Sequence, residues 1–351
     1  MRHPNFEQAA RHITSETVRD TLIEMVNINT PTGRERGLAE YIVARLTRAG
    51  LRASLQEVSE GRPNAIGVLS GDGTGLNLLM TGHMDTTWHG DEAFLTSEGH
   101  KPAAIHRDGW VWGLGANNMK SGLASALVAV EAIAKAEIKL KGDVLYGAVV
   151  GEIEKAAIEE FSGEWLNAYG SGTRYMVTHG ITADYAILCE PTALRVCTVN
   201  MGAIWAKITV AGTLSHAGRS RDPGVVNAIE EMHDLHEALR KWISNYEASH
   251  EYLGEHPNVT ISAIRGGMPW RLSANPFECR IYLDIRLVPG TRIEDVRRSL
   301  REVLRTFAND RNGSEPTLEF YVTDPATVLS DDLLALDEAL NQFAAVEPIK
   351  A

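Results

Sequence analysis

The feature that most constrains this chain is a short apolar run that ends in a glycine, a histidine and an aspartate. Residues 78–82 are almost entirely apolar, which is typical of a strand buried on both faces of a sheet. His83 and Asp85 follow directly. Chemistry in open α/β sheets gathers beyond the carboxyl ends of strands, so this junction predicts a functional site. A neutral imidazole there suits a metal ion, and a nearby carboxylate can fix the tautomer of the ring.

Three more predicted junctions carry groups that can bind a metal or transfer a proton: Asn118 before an apolar helix, Glu152 and Glu154 after a buried strand, and Glu190 after another strand. Taken singly, the stretch at Asn118 is better explained by a close-packed glycine turn, and Glu152 and Glu154 are better explained by a solvated loop. The strands alternate with helices, which predicts an α/β domain with a mostly parallel sheet. We expect the four junctions to meet at one edge of that sheet.

The pattern changes in the second half of the chain. Residues 194–325 read as strand, helix, strand, strand, helix, strand, which is the ferredoxin-like order. We therefore predict a ferredoxin-like lid and dimerisation domain over 194–325, inserted into a metal-binding catalytic domain formed by 1–193 and 326–351.

Composition excludes several classes of partner. The 351 residues carry a net charge of −12 and no basic stripe, so we expect no nucleic acid partner. No apolar run reaches the length of a membrane span, and the polar start does not resemble a signal peptide. The three cysteines lack metal-knuckle spacing, which favours reduced thiols in a cytoplasmic protein.

Five motifs, taken together and in order, resemble those of peptidase family M20. This family includes metal-dependent aminoacylases, acetylornithine deacetylases, succinyl-diaminopimelate desuccinylases and glutamate carboxypeptidases. The motifs are Gly-His-Met-Asp at 82–85, a glycine-rich run at 113–122, Gly-Glu-Ile at 151–153, Glu-Pro-Thr at 190–192 and Ser-His-Ala-Gly at 215–218. The resemblance extends from about residue 15 to the end of the chain.

The resemblance implies a role for each matching residue. His83 and Glu190 would bind a divalent metal, Mn²⁺ or Zn²⁺, and Asp85 would brace His83. Glu152 would be the general base, and His216 would reach across a homodimer formed by the lid domains to stabilise the developing negative charge. The implied activity is hydrolysis of a C–N bond in a small molecule, as in an N-acyl amino acid deacetylase or a small peptidase.

The departures from the family motifs all affect one of two metal positions. Asn118 stands where the family has a bridging aspartate, Ile153 replaces a glutamate, and no histidine follows His256. An amide is a poorer bridge between two cations than a carboxylate. The relatives also run longer, so we expect the chain to stop short. We predict one ion per subunit, with Asn118 and Glu154 as possible additional ligands.

The lid domain also has its own predicted binding residues. Arg271 could pair with a substrate carboxylate, Trp270 could stack on a flat ring, and Ser273 or Asn275 could replace an asparagine of the relatives.

Two alternatives to amide hydrolysis stay open. The asparagine at 118 and the Gly-Glu-Ile-Glu motif resemble the subgroup that deaminates aminobenzoates such as 5-nitroanthranilate. The chain could also be a ligand-binding relative without turnover.

Overall fold

The computed structural model describes residues 4–311 and 313–342 of the chain. Their contacts divide them into two compact units, with the boundary between Leu194 and Arg195. The boundary lies beside the one predicted between the catalytic and lid domains. Residues 326–342 group with the second unit, whereas the sequence places 326–351 in the catalytic domain. Residues 343–351 lie outside the described part, and the assignment of 326–351 stays a prediction.

The first unit is built on a five-stranded sheet with the order β1-β2-β6-β3-β7. Strands β6, β3 and β7 are parallel, as predicted for the strands that lead to the site, and β1 and β2 are antiparallel additions. The strands of this unit are β1 Arg52–Ser59, β2 Arg62–Leu69, β3 Leu78–His83, β4 Ile105–Arg107, β5 Trp110–Trp112, β6 Val144–Val149 and β7 Tyr185–Leu188. Strands β4 and β5 form a separate small hairpin.

Helices cover both faces of this sheet, so its central strands are buried. The helices are α1 Pro4–Ala10, α2 Ser15–Val26, α3 Arg36–Arg48, α4 Ser121–Lys135 and α5 Ser171–Thr178. The larger core contains apolar side chains of α2, α3 and α4, including Met25, Ile42 and Leu127. A smaller core on the other face includes Met176 of α5. Every residue of β6 is buried, which confirms the fully apolar strand pattern.

The second unit has the ferredoxin-like topology that the sequence predicts. Its antiparallel sheet has the order β10-β11-β9-β12, and α6 and α7 supply most of the helical side chains in its core. The elements are β8 Val199–Asn200, β9 Gly202–Ala211, α6 Ala228–Ser249, β10 Val259–Gly266, β11 Glu278–Leu287, α7 Ile293–Arg311, β12 Thr317–Asp324, β13 Thr327–Val328 and α8 Leu334–Asn341. Within the described residues, no helix combines the length and apolarity needed to cross a membrane.

A buried ion pair anchors the loop behind the predicted site. Arg62, which is 1% exposed, donates from two nitrogens to the carboxylate of Glu35 at 2.6 and 3.0 Å. Its third nitrogen donates to the carbonyl oxygens of Glu164 at 3.0 Å and Asn167 at 2.7 Å. This network holds the segment that runs from the end of β6 to α5.

We expect Arg62→Met to lower the free energy of unfolding by about 3–5 kcal/mol, because Glu35 keeps a buried charge without its partner. Replacing Glu35 by methionine as well should recover part of the loss. The exposed pair Arg19–Asp20, at 2.8 Å, is the control, and Arg19→Met should leave the free energy of unfolding close to that of the wild type. Urea unfolding measures all three variants, and equal losses in Arg62→Met and Arg19→Met would contradict the prediction.

Candidate metal centre

The register of the parallel strands brings the predicted site residues together. Thr81 pairs with Leu188 across β3 and β7, so His83 and Glu190 lie level with each other two residues further on. His83 itself pairs with Val149, the last residue of β6, and Glu152 follows three residues later. Side chains from three strand ends therefore meet at one edge of the sheet, as the sequence predicts.

One nitrogen of His83 faces one oxygen atom from each of the three other residues of this cluster. Its Nε2 lies 2.6 Å from Oδ1 of Asn118, 3.4 Å from Oε1 of Glu190 and 3.5 Å from Oε2 of Glu152. Ligand atoms of His83, Glu152 and Glu190 all lie within 4.8 Å of one another. Imidazole nitrogen with carboxylate oxygen is a donor set that suits a divalent transition metal, so these residues fit such an ion.

The other nitrogen of His83 contacts Asp85. Nδ1 donates to the backbone carbonyl of Asp85 at 2.9 Å and lies 3.4 Å from Oδ1 of the same residue. The carbonyl oxygen of Asp85 and Oδ1 of Asn118 can only accept, so the metal-free ring donates from both nitrogens. A metal that displaces the proton from Nε2 would leave the hydrogen on Nδ1 and use the Nε2 lone pair. Asp85 also accepts hydrogen bonds from the backbone N–H of Glu152 at 3.0 Å and of Ile153 at 3.3 Å.

The buried charges shift the pKa values of this cluster in opposing ways. Burial lowers the pKa of His83, but Asp85, Glu152 and Glu190 outweigh it and raise the value to about 9. Burial raises the pKa of Glu152 to about 7 although His83 opposes the rise. Burial also raises the pKa of Glu190. Without a cation, the site therefore holds protons that a metal has to displace.

A glycine allows the helix that follows Asn118 to approach the segment that leads from β7 to Glu190. A Cβ on Gly122 would lie 1.9 Å from the carbonyl oxygen of Cys189, so a larger residue cannot stand there. Glu154 is exposed and does not join the three-residue group, although its charge contributes to the raised pKa of Glu152. Its predicted role as a ligand stays a prediction.

In the second unit, His216 lies in a loop that is bonded to the predicted binding loop. The backbone N–H of Ala217 donates to the carbonyl of Ser273 at 2.7 Å, and that of Asn275 donates to the carbonyl of Ser215 at 2.8 Å. His216 is exposed, and its Nδ1 accepts the N–H of Gly218 at 3.1 Å. The hydrogen of the neutral ring therefore sits on Nε2, which is free to donate.

The four predicted binding residues of this unit differ in exposure. Trp270 is 79% exposed, and Arg271 and Ser273 are also exposed, so all three are accessible to a ligand. Asn275 is only 1% exposed, and its amide nitrogen donates to the carbonyl oxygens of Thr213 and Val226, both at 2.8 Å. In the described fold it ties two loops together, and its predicted contact with substrate has no support from this geometry.

Two buried polar residues lie near the site, and the sequence does not indicate their hydrogen-bond partners. Thr32 donates from its hydroxyl to Oδ2 of Asp85 at 2.9 Å. Lys120 is 1% exposed, its ammonium group donates to the carbonyl of Ile28 at 2.8 Å, and burial lowers its pKa to about 7. Both bonds join residues that are distant in the chain, so local patterns do not indicate them.

Fold and cluster together define an α/β protein with a histidine–carboxylate cluster that could hold a metal ion, and comparisons with known proteins identify its family. The chain is 30% identical to acetylornithine deacetylase from Salmonella arizonae over 289 residues, which is 79% of this chain and 67% of that protein. A pyrimidine deformylase from Bacillus subtilis, N-formyl-4-amino-5-aminomethyl-2-methylpyrimidine deformylase, is 24% identical over 82% of this chain and 66% of its own length. Residues 198–312 match the peptidase dimerisation domain of family M20. The chain belongs to peptidase family M20.

Solved structures support the same fold. A tripeptidase from Staphylococcus aureus superposes with a TM-score of 0.71 at 18% identity and covers 97% of this chain and 85% of that one. An M20 family metallo-carboxypeptidase from Sulfolobus solfataricus gives 0.67 at 15% identity, over 94% and 84%. None of these four proteins is named for removing an amino group from an aromatic ring, so the aminobenzoate alternative stays a prediction without support from them.

We expect the affinity of the protein for Mn²⁺ or Zn²⁺ to rise between pH 6 and pH 9. The folded-state pKa of His83, about 9, lies above its ordinary value, so below pH 9 the metal must displace a proton from the ring. Calorimetric titration in buffers of different ionisation enthalpy measures both affinity and proton release. Affinity that is constant over this range, with no proton released, would contradict the assignment of His83 as a ligand.

Proposed function

We propose that this protein is a divalent-metal-dependent hydrolase that cleaves an amide-type C–N bond, as an N-acyl amino acid deacetylase or a small peptidase. The observation that supports this most strongly is the convergence of His83, Glu152 and Glu190 at the ends of three parallel strands. The names of the M20 relatives, which include a deacetylase, a deformylase and peptidases, agree with this class of reaction.

In this proposal, His83 and Glu190 hold the cation and Asn118 offers a neutral oxygen beside them. Asp85 fixes the ring of His83 from behind through the contacts at Nδ1. A bound divalent ion would supply Lewis acidity, which polarises a scissile carbonyl and makes water more acidic. Asn118 and Ile153 offer less to a second ion than carboxylates would, so we propose one ion of Mn²⁺ or Zn²⁺ per subunit.

Glu152 is the proposed general base. It lies close to the cluster, with its Oε2 at 3.5 Å from Nε2 of His83, yet 41% of its side chain is exposed and can meet water and substrate. Burial raises its pKa to about 7, and a positive charge held nearby favours the carboxylate form that accepts a proton. Such a group can take a proton from water and return it to the leaving nitrogen.

The second unit supplies the remaining proposed roles. His216 carries a free Nε2–H in its neutral form and can donate to a developing oxyanion. Arg271 can pair with a substrate carboxylate, and Trp270 can stack on a flat substituent. We propose a homodimer through the lid domain, in which His216 serves the site of the partner subunit; the match to a peptidase dimerisation domain supports this assembly. A cytoplasmic location is part of the same proposal.

We expect Glu152→Gln to lower kcat by about 100-fold or more on an N-acyl amino acid in the presence of Mn²⁺, because the amide cannot accept the proton. Glu60→Gln, which changes an exposed glutamate outside the cluster, is the control and should retain most of the rate. Parallel assays with N-acyl amino acids, short peptides and nitro-substituted anthranilates identify the bond that is cleaved. Turnover of anthranilates alone would overturn the amide proposal, and a protein that binds these ligands without any turnover would be a binding relative.

The proposed stoichiometry has a separate test. Elemental analysis of desalted protein, loaded with Mn²⁺ or Zn²⁺, should give close to one tightly held ion per chain. His83→Ala should abolish that binding, because it removes the nitrogen ligand at the centre of the cluster. Two tightly held ions per chain would contradict the single-ion proposal.

A further inference from the structure

The carboxylate of Asp85 contacts groups at the ends of both β3 and β6, where the proposed metal ligand and the proposed base lie. It is 1% exposed, and its Oδ1 accepts the N–H of Glu152 at 3.0 Å and lies 3.4 Å from Nδ1 of His83. Its Oδ2 accepts the N–H of Ile153 at 3.3 Å and the hydroxyl of Thr32 at 2.9 Å. The orientation of this one group therefore affects the proposed metal ligand and the proposed base together.

Thr32 comes from the turn between α2 and α3, and its backbone is fixed to the loop that contains Asp85. The N–H of Thr32 donates to the carbonyl of Thr86 at 3.2 Å, and the N–H of Thr86 donates to the carbonyl of Thr30 at 2.8 Å. Thr32 is 2% exposed, so water does not compete for its hydroxyl. The side chain is thus placed by backbone bonds that its own replacement would leave intact.

The direction of the Thr32 hydroxyl proton follows from its neighbours. The ammonium group of Lys155 lies 3.4 Å from Oγ1 of Thr32 and can only donate to it. The alternative acceptor, the carbonyl of Thr86, lies 3.5 Å away, whereas Oδ2 of Asp85 lies at 2.9 Å. The hydroxyl proton therefore points at the carboxylate and forms a charge-assisted hydrogen bond.

We propose that Thr32 is a positioning residue of the metal centre, acting through Asp85 on both His83 and Glu152. The inference depends on the proposed function, because it assigns Thr32 to support of that site. Without the hydroxyl, Oδ2 of Asp85 keeps only the longer bond from Ile153. The terminal torsion of an aspartate is broad, so the carboxylate can then rotate away from the imidazole. Replacing a residue that orients a metal ligand through hydrogen bonds typically lowers metal affinity by about 10–100-fold.

The test compares three substitutions at two buried threonines. Thr32→Val removes the hydroxyl with little change in shape, and Thr32→Ser keeps it. Thr30→Val is the matched control, because Thr30 is 0% exposed and its hydroxyl donates at 2.6 Å to the carbonyl of Met84 instead of a carboxylate. We expect Thr32→Val to weaken Mn²⁺ binding by about 10-fold or more and Thr32→Ser to restore most of it. Thr30→Val should lower the melting temperature without this loss of affinity.

Equal affinity in wild type and Thr32→Val, or equal losses in Thr32→Val and Thr30→Val, would overturn the inference while leaving the metal centre intact. If the wild type itself binds no Mn²⁺, the proposed function fails. The role of Thr32 is then tested by an NMR measurement on metal-free protein. In protein labelled with ¹⁵N-histidine, the Nδ1 signal of His83, assigned by its loss in His83→Ala, should shift in Thr32→Val and stay in place in Thr30→Val. An unchanged signal in Thr32→Val would refute the inference directly.

Discussion

A buried carboxylate needs hydrogen-bond donors, and the way in which Asp85 obtains them determines the geometry of this site. Its donors are the hydroxyl of Thr32 and two backbone N–H groups that follow β6, and the imidazole that ends β3 lies 3.4 Å from its Oδ1. A charge that is 1% exposed would be costly without them. The hydrogen bonds to this one side chain therefore hold the loops around it in place. They also position His83 and Glu152 in the cluster.

The parts of the fold that position the site were predictable because they depend on local patterns and on a general property of parallel sheets. Apolar runs identify β3, β6 and β7, and the polar groups that follow them identify His83, Glu152 and Glu190. Parallel strands bring their carboxyl ends to one edge, so residues far apart in sequence meet there. The order of the strands, with β1 and β2 joined antiparallel to β6, was not predictable, because periodicity does not specify a partner.

Details that depend on long-range hydrogen bonds were beyond the reach of sequence patterns. Thr32 is an ordinary turn residue by sequence, and its bond to Asp85 spans 53 positions. Asn275 has the chemistry of a substrate-binding residue, but folding buries it and commits its amide nitrogen to carbonyl oxygens of two other segments. The exposure of Trp270 and Arg271 on the same loop likewise follows from the tertiary fold.

Position 153 supports Asp85 through its peptide nitrogen, and the isoleucine side chain takes no part in that bond. The hydrogen bond that supports Asp85 is therefore insensitive to the side chain at 153, provided that the backbone keeps its path. Under the single-ion proposal, exchange of a glutamate for an aliphatic side chain at this position would remove a ligand of a second ion while the histidine and its brace keep their geometry. The number of ions and the geometry around His83 would then be independently adjustable traits.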